Sequence, residues 1–161
     1  MTAFWILLVF IILQRLTELV IAKRNERWMK ARGAFEAGAD HYKWIVTVHV
    51  LFLLSLIGEV AVFGSRPAFW WPLPFFLFAA AQVMRFWVLF AMGRFWNTKI
   101  IILPGARVVA KGPFRFLRHP NYLIVAVEIA MVPLIFQAYY TAVMFTVINA
   151  LIIAGIRIPA E

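Results

Sequence analysis

The stretch Gly112-Pro-Phe-Arg-Phe-Leu-Arg-His-Pro-Asn-Tyr122 sets guanidinium, imidazole, amide and phenol groups between two strongly apolar regions. Proline after His119 disfavours the α region for that histidine, and Pro120 suits the first helical position, so a helix is expected to start there. The positive end of that helix and its free backbone N–H groups form an anion site. Arg118 can add a bidentate carboxylate contact, and Arg115, His119, Asn121 and Tyr122 lie beside it. Gly112 would let backbone approach a ligand closely. Two readings stay open: a ligand site, or anchoring to phosphate headgroups. Glu128 shares a helix face with Asn121 and sits about 12 Å below the helix start, where it either lines a cavity or neutralises an arginine.

Further ionisable residues stand in apolar runs: Arg15, Glu18, Glu59 and Arg85. Such groups are costly in lipid and point by default to a functional site. Arg15 and Glu18 are spaced i,i+3 and read as a structural pair. Glu59 and Arg85 read as a second pair between neighbouring spans. His41, His49 and His119 show no metal-ligand spacing with carboxylates, so no metal is expected. No phosphate-binding glycine loop or Gly-x-Ser-x-Gly elbow occurs. With no cysteine in the chain, disulfides, thiolate sites and cysteine nucleophiles are excluded.

The elements that position these groups are membrane spans. The chain is 65% hydrophobic and 14% charged, against roughly 45–50% and about 25% in soluble domains. An all-α integral membrane protein follows, read as one domain over residues 1–161 because no linker, repeat or low-complexity segment interrupts it. Five spans are expected, at about 3–22, 44–63, 69–92, 120–136 and 141–156. The N-terminal segment lacks a basic n-region and cleavage site and reads as a retained span, not a signal peptide. A connection over 93–122 and the segment 157–161 complete the polar region. Within the connection, Pro104-Gly105 suits a type II turn, so 99–110 reads as a short hairpin at the interface.

The net charge of +9 is read as basic loops facing anionic lipid, not as a nucleic-acid surface. The aromatic residues are bilayer residues and no stacking platform for bases. With five spans, the basic connections after the first and third share a side with the C-terminus, and the opposite side keeps only Arg66. By the positive-inside rule the basic side is cytoplasmic and the N-terminus outside.

The 112–122 segment resembles the isoprenylcysteine carboxyl methyltransferase family, whose pattern is G-x-[YF]-x-x-x-R-H-P-x-Y, followed after a helical hairpin by Arg-x-x-Glu-Glu. Arg157-Ile-Pro-Ala-Glu161 is similar to the start of that second segment. The likeness is closest to small bacterial and archaeal members and covers about Arg94 to the C-terminus. It implies an S-adenosylmethionine-dependent methyltransferase, with cofactor entering from the cytosol and a lipophilic acceptor from the bilayer. By position, Gly112, Arg118, His119 and Tyr122 would line the cofactor site and Arg157 and Glu161 would close it. Arg118 or Arg157 would hold a carboxylate acceptor; a hydroxyl acceptor, as in bacterial members acting on alkyl-pyrone-type lipids, would need His119 or Glu128 as base. Prenylated protein is the other substrate class implied. The chain departs from the family at the second glutamate, which is missing after Glu161 and implies trimming or an incomplete cofactor lid. It departs also at Gly105-Ala-Arg, where the family often has a histidine, and at Leu123, which replaces a glycine.

Two other classes compete. An NADPH-dependent sterol-reductase-like enzyme would share the C-terminal pattern but generally has more spans. A small transporter or scaffold would line a mid-membrane pathway with Glu59, Arg85 and Glu128, whereas most polar residues gather at one interface.

Overall fold

A computed structural model describes residues 1–64 and 66–160. Backbone polar groups in lipid must be satisfied within their own segment, and the long apolar runs accordingly form helices: α1 (Thr2–Lys30), α2 (Ala39–Phe63), α3 (Pro72–Met92), α4 (Pro120–Ile135) and α5 (Tyr139–Ile152). A π-helical turn, Ile153–Arg157, carries α5 on to a last helical turn ending at Ala160. Thr2–Lys30, Ala39–Phe63, Pro72–Phe95 and Tyr139–Ala160 are long and apolar enough to cross a membrane. Pro120–Ile135 is apolar but shorter, reaching about 24 Å against a hydrocarbon core of ~30 Å. The chain is an all-α, multi-pass membrane protein.

The helices run back and forth between two ends. At one, strand β1 (Phe35–Ala37) from the α1–α2 connection pairs antiparallel with β2 (Ile100–Ile102) from the α3–α4 connection, Glu36 facing Ile101. Arg157 at the end of α5 donates to the Thr98 carbonyl at 3.3 Å. Asn25 donates to the Trp96 carbonyl at 2.8 Å and Asn97 to the Ala22 carbonyl at 2.9 Å, which ties this connection to α1. At the other end the Ala68 N–H donates to the Ile135 carbonyl at 2.9 Å, and the Gln137 amide donates to the Arg66 carbonyl at 3.0 Å. Phe4, Leu8, Leu56, Val60, Val132 and Phe136 form a buried cluster there, whereas Leu13, Val20, Val62, Phe76, Phe90 and Leu151 face outward, as lipid requires.

The structure corrects three expectations. The hairpin over 99–110 does not form: Pro104-Gly105 makes its turn, with Gly105 at φ +82° and the Ala106 N–H donating to the Leu103 carbonyl at 3.2 Å. The strand before it pairs with β1 instead, because a partner is already held close by α1 and α2. Glu59 does not meet Arg85. Its carboxylate accepts from the Thr141 N–H at 2.8 Å, the Thr141 hydroxyl at 2.6 Å and the Tyr140 N–H at 3.1 Å. It thus caps α5, whose first N–H groups lack helical partners. Finally, the helical path does not end near residue 156: after α5 the π turn and a further helical turn carry it to Ala160.

Candidate functional site

α4 begins at Pro120 with His119 as its N-cap, and the preceding Gly112–Arg115 forms a tight 3-10 turn. Gly112 is what permits that turn. Its φ is +62°, and a Cβ there would lie 3.0 Å from Trp87 Nε1 and 3.1 Å from Ala91 Cβ. The close approach expected of this glycine is therefore made to α3, and Gly112 is not among the residues lining the cavity described next.

Beyond the turn the chain borders a cavity of about 860 Å³, within the range of small-molecule sites, ~300–1,000 Å³. Arg118, His119, Asn121 and Tyr122 line it, as do Glu128 and Arg157. Arg115 is exposed and does not. The rings of His119 and Tyr122 stack at 5.0 Å, and the Arg157 guanidinium lies 5.9 Å from the Tyr122 ring. These residues open the α4–α5 hairpin and Arg157 closes it, from the π turn that follows α5, a kind of turn frequent at functional sites. Glu161 lies outside the described residues.

The deep wall of the cavity holds a buried ionic network. Arg85, 4% exposed, donates through Nη1 to Glu18 at 2.8 Å, and through Nε and Nη2 to Glu128 at 3.1 and 2.6 Å. Arg15 donates to Glu18 at 3.1 Å and also to Glu128. Gln82 adds a bond to Glu128, and Gln14 one to Gln82. Two cations meet two anions, so the group is neutral as a whole. Breaking it would leave a charge buried in the bilayer. The expected Arg15–Glu18 pair is present, but as one side of this larger assembly, and Glu128 does both things foreseen for it: it lines the cavity and neutralises arginine.

Two wall residues carried little weight in the sequence. Asn149, 5% exposed, brings an amide to the cavity from the last turn of α5; a lone amide inside an apolar run was the available signal. His49 lines the same cavity from α2, and a solitary histidine offers no pattern to read. Among the described residues no cluster suited to a metal ion occurs.

Residues 73–161 match the sequence profile of the isoprenylcysteine carboxyl methyltransferase (ICMT) family. The chain is 42% identical to the uncharacterized protein YpbQ of Bacillus subtilis (strain 168) over 158 residues, 98% of this chain and 94% of that one. It is 32% identical to an uncharacterized protein of Haemophilus influenzae (strain ATCC 51907 / DSM 11121 / KW20 / Rd) over 152 residues, 91% of this chain and 86% of the relative. No solved structure matches.

Proposed function

The chain belongs to the isoprenylcysteine carboxyl methyltransferase family, and on that premise we propose that it transfers a methyl group from S-adenosylmethionine to a carboxylate or hydroxyl of a lipophilic acceptor dissolved in the bilayer. The observation that carries this reading is the continuity of the cavity. A single space joins Arg118, His119 and Arg157 at the basic end to the apolar walls of α1 and α2.

S-adenosylmethionine supplies an electrophilic methyl group on a sulfonium. Its other groups are a carboxylate, an ammonium, ribose hydroxyls and an adenine edge, and the donor set at the basic end suits them. Arg118 and Arg157 are matched to the carboxylate. His119, Tyr122 and the buried Asn149 amide offer hydrogen bonds and ring faces, Gly112 shapes the turn that presents them, and Glu161 follows the same segment as Arg157. In a methyl transfer the protein must mainly align the reactants and exclude water. The helical walls and the roof tied down by Asn25, Asn97 and β1–β2 serve both needs. Arg118 or Arg157 would hold a carboxylate acceptor. Glu128 is a poor base, because both its oxygens already accept from arginine, and we assign it to fixing Arg15 and Arg85 at the cavity wall.

In this reading residues 1–161 act as one membrane domain. α4, lengthened by the non-helical approach of 112–119, makes the fifth crossing; irregular backbone is tolerated at membrane depth where it lines a cavity. The basic end lies in the cytoplasm with the N-terminus outside, so cofactor and acceptor arrive from different phases. The test is transfer of a labelled methyl group from S-adenosylmethionine to an extractable lipid by the protein in vesicles. Transfer that depends on Arg118 supports the reading, and absence of transfer to native membrane lipids and to prenylated cysteine and long-chain phenol probes refutes it.

A further inference from the structure

The end of α1 carries a basic surface that the cavity does not use. Asn25 ties α1 to the end of α3, donating to the Gly93 carbonyl at 3.2 Å and the Trp96 carbonyl at 2.8 Å. The Gln14–Gln82 and Glu18–Arg85 bonds keep the two helices side by side and running the same way. This brings two guanidiniums onto one indole: Arg32 lies 4.1 Å and Arg94 5.2 Å from the centre of the Trp28 ring. Phe95 meets the same ring edge-on at 5.7 Å, and Arg32 is held in place by donating through Nη1 to the Trp28 carbonyl at 3.0 Å. Both arginines are exposed. No ion pair among the described residues engages either of them, or Arg24 one turn before Trp28. The acids nearby are already taken, Glu26 by Lys30 and Lys99 and Glu36 by Lys99. Two cations gathered on one ring repel each other, and an anion between them removes that cost. Away from the cations the surface is apolar. Thr17, Ile21, Arg24 and Trp28 share one face of α1 by their spacing, with Ile21 exposed, and Phe86 and Phe90 stand exposed one turn apart on α3. A soluble acidic partner would meet the arginines and leave this strip bare; a phospholipid, with phosphate above and acyl chain below, covers both.

We propose that the outer face of the α1–α3 pair binds one anionic glycerophospholipid, its phosphate held by Arg32 and Arg94 with Arg24 beside them, and an acyl chain lying along Ile21, Phe86 and Phe90. Trp28 sets the depth, since indoles settle at the membrane interface, and its ring orients both guanidiniums by stacking before the lipid arrives. This differs from the general attraction of basic loops to anionic lipid, which follows the number of charges and needs no particular pair. The bound lipid would fasten α1 to the end of α3 from outside the bundle, where Asn25 fastens them from within. The inference is independent of the methyltransferase reading.

The experiment titrates the full chain in detergent with phosphatidylglycerol, with phosphatidylcholine of the same acyl chains and with inorganic phosphate, and reads bound lipid by native mass spectrometry. Wild type is expected to retain one phosphatidylglycerol in preference to phosphatidylcholine, and inorganic phosphate at the same concentration should not displace it. Arg32→Gln with Arg94→Gln should weaken phosphatidylglycerol binding about tenfold or more. Lys23→Gln with Arg27→Gln removes the same charge from exposed positions on another face of α1 and should change binding little. Equal losses in the two double variants would reduce the effect to net charge and overturn the proposal, as would equal retention of phosphatidylcholine. Displacement by inorganic phosphate would overturn the lipid as occupant. Trp28→Leu keeps every charge and removes the ring that orients the pair, so it should also weaken binding. Full-strength binding by that variant, or by Arg32→Gln with Arg94→Gln, overturns the site.

Discussion

The guanidinium of Arg85 meets the carboxylate of Glu128 side-on, with Nε 3.1 Å from one oxygen and Nη2 2.6 Å from the other. This bidentate contact joins α3 to α4 inside the membrane and sets the wall of the cavity. Replacing Arg85 by Met leaves Glu18 and Glu128 short of a cation in a buried setting. The expected cost is about 3–5 kcal/mol, seen as a lowered unfolding midpoint in detergent. Arg85→Met with Glu128→Leu should recover part of that loss, because the unpaired carboxylate is removed too. A double variant no better than the single one would show that the pairing is not what holds these helices.

Glu59 and Thr141 give a separable effect on stability. The carboxylate accepts two backbone N–H groups at the start of α5 as well as the Thr141 hydroxyl. Glu59→Ala should therefore cost about 0.5–2 kcal/mol, the range for a lost helix cap. Because this cap is at the end remote from Arg118, affinity for S-adenosylhomocysteine should not change. A thermal melt with and without that ligand checks both statements.

Gly112→Ala tests the turn before α4. Positive φ and the 3.0 Å approach to Trp87 mean that the added methyl must displace the 112–119 segment from α3. The loss should exceed ~1 kcal/mol, the upper size of ordinary Gly→Ala effects, and should weaken cofactor binding through Arg118 and His119 without removing either side chain. Leu123→Ala, at a half-exposed outward position, is the control and should leave binding intact.

Orientation can be measured cleanly because the chain has no cysteine. Thr2→Cys should react with an impermeant maleimide added outside intact cells, and Lys111→Cys only after the cells are opened. The reverse pattern would invert the proposed topology and place the basic end outside.

The five apolar helices and the 112–122 segment were legible because each is a local pattern: four apolar runs long enough to cross a membrane and a shorter one, a proline at a helix start, a cationic cluster beside it. What was not legible depends on which elements meet. The Arg85 partners could not be read from spacing, since Glu18 and Glu128 lie on helices distant in sequence while Glu59 lies nearer. Ile100–Ile102 carried a strand signal but not its partner, which β1 supplies from another loop. His49 and Asn149 are single polar residues in apolar helices, and only packing shows that both turn into one cavity. The π turn that brings Arg157 inward leaves no mark in residue type.

The most direct measurement is the change in thermal midpoint of detergent-purified protein on adding S-adenosylhomocysteine or NADPH. At a hundredfold excess over Kd a specific ligand should add about 2.7 kcal/mol of stability. S-adenosylhomocysteine is expected to raise the midpoint of wild type, NADPH is expected not to, and Arg118→Ala and His119→Ala should abolish the response. A response to NADPH instead, or variants that respond like wild type, would contradict a methyl-donor site at the start of α4.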